Sequence, residues 1–338
     1  MQTHFVRAIF KILVLGIPLV LLGESHAQLN PASPPIADPA DARFKGAIED
    51  LTTPSLSDSK LMPIPPMVGF KNDHEQYTEE LVQLQWRFGD PLDVYVLKPK
   101  GVTRPPVILY LYGFPSETDR FKVENFQRSA TKDGFAAVGF LSALTGHRYH
   151  DRPMKEWFIS ELQECLTTSA HDVQMVLDYL DKRGDLDMDR VGMFSQGSGA
   201  SIGILTSAVE PRIKVLDALD PWGDWPAWMK DSPIIPEEER ADFVKPEFLK
   251  RVAGLEPIDW LPRVQAKRFR LQDATFETNT PTSAKEKLRA AVPQGSTVVI
   301  YPTVEKFNAV IQNGRELDWI KNEVRSLPTQ EASAAGSK

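Results

Sequence analysis

Short apolar runs recur along the middle of the chain, each separated from the next by a stretch of helical periodicity. Val107 to Leu111, Ala136 to Leu141 and Val191 to Phe194 are three such runs, bounded by turn residues and too short to be helices. A strand that is apolar on both faces must be covered on both faces, which is the condition of a central parallel sheet. Val173, Val176, Leu177 and Leu180 stand at helical spacing, so Asp172 to Arg183 reads as a helix, closed by Gly184. Downstream, Ala200 to Val209 reads as a buried helix, Ile213 to Leu219 and Arg268 to Gln272 as strands, and Thr282 to Ala291 as a helix. Val298 to Tyr301 is then the last strand and Leu317 to Val324 the closing helix. This alternation predicts the α/β class, with a mostly parallel central sheet and helices on both faces. Ahead of it, Leu81 to Phe88 and Leu92 to Leu97 flank Gly89-Asp90-Pro91 and read as a hairpin.

The rhythm breaks between residues 222 and 261, where several prolines and acidic residues accompany Trp222, Trp225, Trp228 and Trp260, four of the seven tryptophans. That stretch is expected to be a helical cap over the C-terminal edge of the sheet, where ligands bind in open α/β folds. The expected organisation is a signal peptide over 1–27, an extended Pro-rich leader over 28–66, the α/β domain over 67–328 and a disordered tail over 329–338.

The leader assignment rests on charge and hydropathy. Arg7 and Lys11 precede an apolar run from Ile12 to Leu22, followed by Ser25-His26-Ala27, the layout of a secretory signal peptide cleaved after Ala27. The run falls short of the ~20 residues that span a bilayer, so no stable membrane anchor is expected after cleavage, and the mature chain is expected to be secreted or periplasmic. With 39 basic against 46 acidic residues, a net charge of −7 and no basic block, the chain lacks the electrostatic footprint of a nucleic-acid binder. The single cysteine, Cys165, excludes an internal disulfide and a multi-cysteine metal site.

Residues 189–200, Asp-Arg-Val-Gly-Met-Phe-Ser-Gln-Gly-Ser-Gly-Ala, form a strand, a turn signal and the start of a helix. They resemble the nucleophile elbow of the α/β-hydrolase superfamily, whose G-x-S-x-G pattern places small residues on either side of the nucleophile so that a strained turn projects it above the sheet. Matched on the strand, the flanking small positions are Ser195 and Gly199, and the nucleophile position is Gly197. Glycine has no side chain with which to attack a carbonyl. Shifting the register to make Ser198 or Ser195 the nucleophile puts Gln196 or Met193 where a small residue is needed. Val107 to Tyr112 followed by Gly113 resembles the strand and oxyanion loop of secreted esterase- and peptidase-like members, with Tyr112 where they often carry His. In residues 268–281 the position of the triad acid is Glu277, with Asp220 after the preceding strand as runner-up. The triad His is expected just after the last strand, where Lys306 stands. All six histidines, at 4, 26, 74, 147, 150 and 171, precede the elbow.

The resemblance thus implies the fold and a degenerate triad: a secreted pseudo-hydrolase with a pocket for a small-molecule ligand or a protein partner, lined by Tyr112, Gly113, Gln196, Ser198, Asp220, Trp222 and Trp225. The alternative is an active esterase or peptidase using Ser198 or Ser195 with a base displaced to His147 or His150. The loop carrying His147, His150 and Asp151 also offers three metal-ligand types, although an ion-paired anchor for the cap explains it more simply, and no metal is expected. The glycines meet neither the dinucleotide nor the P-loop pattern, so no cofactor is expected. The Trp222, Trp225 and Trp228 spacing of three either lines the pocket or pins the cap, Pro226 favouring the second. His171 is expected at a helix cap or on the surface.

Overall fold

The computed structural model describes residues 44, 46–115, 117–144, 158–312 and 315–328. Nine strands form one sheet: β1 (Met67–Asp73), β2 (Tyr77–Leu84), β3 (Leu92–Pro99), β4 (Pro106–Leu111), β5 (Ala136–Phe140), β6 (Asp187–Gln196), β7 (Ile213–Leu219), β8 (Arg268–Ala274) and β9 (Thr297–Tyr301). Their order is β1-β2-β3-β5-β4-β6-β7-β8-β9. The first three are antiparallel neighbours, and β3 meets β5 antiparallel. From β5 through β4, β6, β7, β8 and β9 every pairing is parallel. The continuous apolar runs β4 and β5 are buried at every position, as strands covered on both faces must be.

The helices are α1 (Glu124–Thr131), α2 (Leu162–Arg183), α3 (Ser198–Ser207), α4 (Trp225–Asp231), α5 (Arg240–Phe243), α6 (Pro246–Val252), α7 (Pro257–Trp260), α8 (Thr282–Ala291), α9 (Val304–Gln312) and α10 (Asp318–Arg325). The mostly parallel sheet with helices is as the alternation predicts. β7 and α8 have the bounds read from the sequence, and β2 pairs with β3 as the hairpin required. α4 to α7 lie between β7 and β8, where the cap was expected.

Three differences have physical reasons. β1 was not anticipated, because an edge strand exposed along nearly its whole length shows no apolar alternation. α2 starts ten residues before Asp172: from Cys165 to Ala170 it is buried all round, polar Thr167, Thr168 and Ser169 included, so no split between an apolar and a polar face is there to read. His171 lies inside α2 and is fully buried, not at a cap or on the surface.

The second half of the leader is docked. A stripe of polar side chains on α2 binds the main chain of residues 51–56. Thr167 Oγ1 donates to Leu51 O (2.9 Å), Gln174 Nε2 to Pro54 O (2.7 Å), and Leu56 N to Gln174 Oε1 (3.4 Å). His171 places Nδ1 2.6 Å from Glu49 Oε1 and Nε2 3.0 Å from Thr53 O. Glu49 also pairs with Arg87 at 2.5 Å, and Arg87 with the buried Asp172 at 2.5 Å.

Candidate functional site

At the C-terminal edge of the sheet, β6 ends at Gln196 and α3 begins at Ser198, leaving one residue to make the turn. Gly197 makes it at φ 57° and ψ −123°, a conformation that L side chains adopt only under strain. Its N–H donates to Leu219 O on the neighbouring strand at 2.9 Å. A Cβ at this position would lie 3.7 Å from Gly113 Cα and 3.7 Å from Trp222 Nε1, ordinary van der Waals contacts, so the obstacle to a β-carbon is the backbone conformation and not a clash. At Gly199 the obstacle is a clash: a Cβ there would lie 2.0 Å from Leu111 O, because α3 packs directly on the end of β4.

The two serines beside the turn are both fully buried. Ser195 sits in β6 with its Oγ 3.3 Å from Asp217 O of β7. Ser198 Oγ accepts the main-chain N–H of Phe114 at 2.9 Å, tying the loop after β4 to the first residue of α3. Gly113 lies close beneath: its Cβ would come 3.1 Å from Gln196 O, which fixes how near these two strand ends approach. Tyr112 is buried with its ring among Phe126 and Phe194 and under the guanidinium of Arg120, 4.4 Å from the ring centroid. It therefore contributes backbone to this edge.

Asp220 follows β7 with φ 48°, and its Oδ1 accepts Ala274 N at 2.8 Å. Burial pushes its carboxyl up to about 6, against the opposing pull of Lys285, whose Nζ is 3.2 Å away. That ammonium also donates to Ala274 O at 2.6 Å and faces Asp273 at 3.3 Å, and Arg289 pairs with Asp273 from the surface. Asp220 is thus bound into the ends of β7, β8 and α8. Glu277 is half-buried in the turn after β8, where its Oε1 accepts Asn279 N at 2.8 Å. Lys306 is exposed in the first turn of α9.

Trp225 and Trp228 belong to α4, and Trp222 lies just ahead of it. Trp222 and Trp228 stack at 4.8 Å, Trp225 meets Trp228 edge-on at 5.8 Å, and Trp225 Nε1 donates to Leu255 O at 3.0 Å. Their rings are buried in the same apolar cluster as the sheet residues Leu111 and Met193. Ser201 Oγ of α3 donates to Trp222 O at 2.8 Å, joining the helix behind the turn to the cap.

His147, His150 and Asp151 lie outside the described residues. Of the histidines that are described, His74 stacks on Tyr77 at 4.4 Å and His171 holds the leader; neither is hydrogen-bonded to a serine. Among the described residues no group of three His, Cys, Asp or Glu side chains could hold a metal ion. Sequence reasoning missed the Phe114 N–H bond and the Lys285 partnership. It also missed the buried Asp217–Arg270 pair (2.6 Å) and Gln272, whose Nε2 donates to Asp217 at 2.9 Å. None of these had a sequence signal, since each joins residues far apart in the chain.

No protein-family profile matches the chain. Among curated proteins it is similar to the candidate hydrolase YtaP of Bacillus subtilis (strain 168), 24% identical over 160 residues, covering 42% of this chain and 52% of that protein. The chain therefore spans about half the length of the curated relative it matches. Among solved structures it is similar to acetyl xylan esterase 1 from Thermoanaerobacterium sp. JW/SL YS485, with a TM-score of 0.56 at 13% identity over 75% of this chain and 88% of that one. The acetyl xylan esterase from Paenibacillus sp. R4 gives 0.57 at 14% identity, covering 79% and 90%. A 2,6-dihydroxy-pseudo-oxynicotine hydrolase gives 0.54 at 21%, covering 72% and 67%. The chain has the α/β-hydrolase fold. In α/β-hydrolases the tight turn between a central strand and its helix lifts one residue above the sheet, and here that turn consists of Gly197.

Proposed function

We propose that this protein is a pseudo-hydrolase: an α/β-hydrolase fold that keeps a ligand or partner pocket at the C-terminal edge of its sheet and has lost acyl-transfer chemistry. The observation that carries the reading is Gly197, which has the strained turn conformation of a nucleophile elbow but no side-chain atom to attack with. The flanking serines support it: both are fully buried, and Ser198 Oγ is held by Phe114 N–H, a loop donor of the kind that stabilises an oxyanion in active members. Lys306 stands where the triad His is expected, and no histidine follows residue 171. Serine without a base retains only residual catalysis.

The test is labelling of the purified protein with a fluorophosphonate serine-hydrolase probe, with a parallel assay on a short-chain nitrophenyl ester. No label and no turnover are expected. Label on Ser198 or Ser195 that disappears when His147 or His150 is replaced would overturn the reading in favour of an active hydrolase with a displaced base. We further propose that the chain is exported, on the strength of Arg7, Lys11, the apolar run from Ile12 to Leu22 and Ser25-His26-Ala27. Mass spectrometry of the mature N-terminus should find Gln28 first; an intact Met1 would refute cleavage. Among the described residues no helix is long and apolar enough to cross a membrane.

A further inference from the structure

Where the leader runs past α2 there is a cavity of about 340 Å³. That volume is in the range of small-ligand sites and far above the gaps that close packing leaves between side chains. Three stretches distant in the chain wall it. The end of β2 and the turn after it supply Leu84 and Trp86, α2 supplies Met175 and Tyr179, and the leader supplies Ile64 and the prolines on either side of it. Ile64 N donates to Gln85 O at 2.9 Å, which seats the leader against the end of β2. Pro63, Pro65 and Pro66 have a fixed φ and no N–H, so this wall is stiff and offers no free main-chain donor.

The polar groups around the cavity are almost all committed elsewhere. Trp86 Nε1 donates to Asp172 Oδ1 at 3.0 Å, Gln85 Nε2 to Arg87 O at 3.0 Å, and Arg183 Nη1 to the Tyr179 hydroxyl at 3.1 Å. Asp178 Oδ1 accepts from Arg212 Nη1 at 2.7 Å, so the charge of that carboxylate is compensated. What remains toward the cavity is ring, methyl and thioether surface, together with one uncommitted charge. That charge is the ammonium of Lys182, which is exposed and, among the described residues, has no ion-pair partner.

We propose that this cavity is a binding site for a small aromatic carboxylate, its ring held between Trp86, Met175 and the prolines of the leader and its carboxylate meeting Lys182. Aromatic rings and a thioether make favourable contacts with the face and edge of a bound ring. A single ammonium with no free donor beside it matches one negative charge, whereas a phosphate calls for several donors at once. The site shares no residue with the turn at Gly197 and stands apart from the reading proposed there. Because one wall is the leader, a ligand bound here also stabilises the docked leader.

The experiment titrates 2-naphthoate into the full chain by isothermal titration calorimetry, with the uncharged 2-naphthamide for comparison. Lys182 is exposed, so Lys182→Glu is expected to fold as the wild type does. A second variant, Leu61→Trp with Ile64→Trp, fills the cavity from the leader side. The expected result is one 2-naphthoate per chain, with 2-naphthamide weaker by roughly fivefold, the size of one solvent-facing ion pair. Lys182→Glu should abolish that preference without changing the affinity for the amide, and the double tryptophan variant should bind neither. Bound 2-naphthoate should also slow limited proteolysis of the leader. No binding of 2-naphthoate overturns the proposal, as does equal affinity for the amide or a preference that survives Lys182→Glu. Undiminished binding by the double tryptophan variant overturns it too, since the ligand would then sit at another site.

Discussion

Two glycines at the elbow are required for different reasons, and substitution separates them. At Gly197 the obstacle is backbone conformation alone, so Gly197→Ala is expected to cost about 1–3 kcal/mol. At Gly199 the obstacle is the carbonyl of Leu111, 2.0 Å from where a Cβ would sit, and relief requires moving α3 away from β4. Gly199→Ala is therefore expected to destabilise more than Gly197→Ala in urea unfolding, and equal costs would refute this account of the packing. Asp220 gives a pH signature. Its folded carboxyl titrates at about 6 against 3.8 for the free group, so it disfavours the fold once ionised. The sign follows: stability is full below about 3.8 and falls as pH rises through 6, by about 3 kcal/mol for a shift of that size. Asp220→Asn should remove that slope and stabilise the protein more at pH 7 than at pH 4, as read from denaturation midpoints at the two values. The glycine at the elbow was legible in the sequence because turn, strand and helix signals converge on it. Lys285 was not: a lysine on a helix with one apolar face reads as solvent-facing, and nothing local reports that its ammonium ends between two carboxylates.

At the scale of elements, β4 and β5 were legible because burial on both faces leaves an unbroken apolar run. The start of α2 and the docking of the leader were not, for a shared reason. The buried stripe on α2 is polar, and its hydrogen bonds run to main-chain carbonyls of a segment more than a hundred residues earlier, which leaves no periodicity to detect. Glu49 holds the centre of that contact. Burial opposes its ionisation, but bonds from Arg87 and His171 outweigh burial and bring its carboxyl down to about 2 from 4.5. Its contribution to stability is therefore present above pH 4.5 and lost as pH falls through 2, to the extent of about 2–3 kcal/mol given its partial exposure. Glu49→Gln should flatten the acid limb of the stability curve between those values and expose the 46–60 segment to limited proteolysis. An unchanged acid limb would show that the strap is held by its other bonds.

At the scale of the molecule, the question is whether the cap is a separable lid or part of one core. Sequence reasoning located the cap by where the strand–helix rhythm breaks, but spacing alone left the tryptophans with two readings. In the folded chain Trp222, Trp225 and Trp228 are buried with Leu111 and Met193 of the sheet and Phe248 and Leu255 of the cap, in one continuous cluster. Apolar area shared in this way couples the two layers, since neither can expose its face without exposing the other's. Trp228 is the test position: it is fully buried and touches both other rings, so truncation removes a large ring from the packed cluster. Trp228→Ala should cost about 3–5 kcal/mol. If cap and sheet are one cooperative unit, tryptophan fluorescence and far-ultraviolet circular dichroism should still report a single coincident urea transition, shifted to lower denaturant with its slope preserved. A lid held by local contacts alone would instead give an early fluorescence transition while the sheet signal stays at its wild-type midpoint.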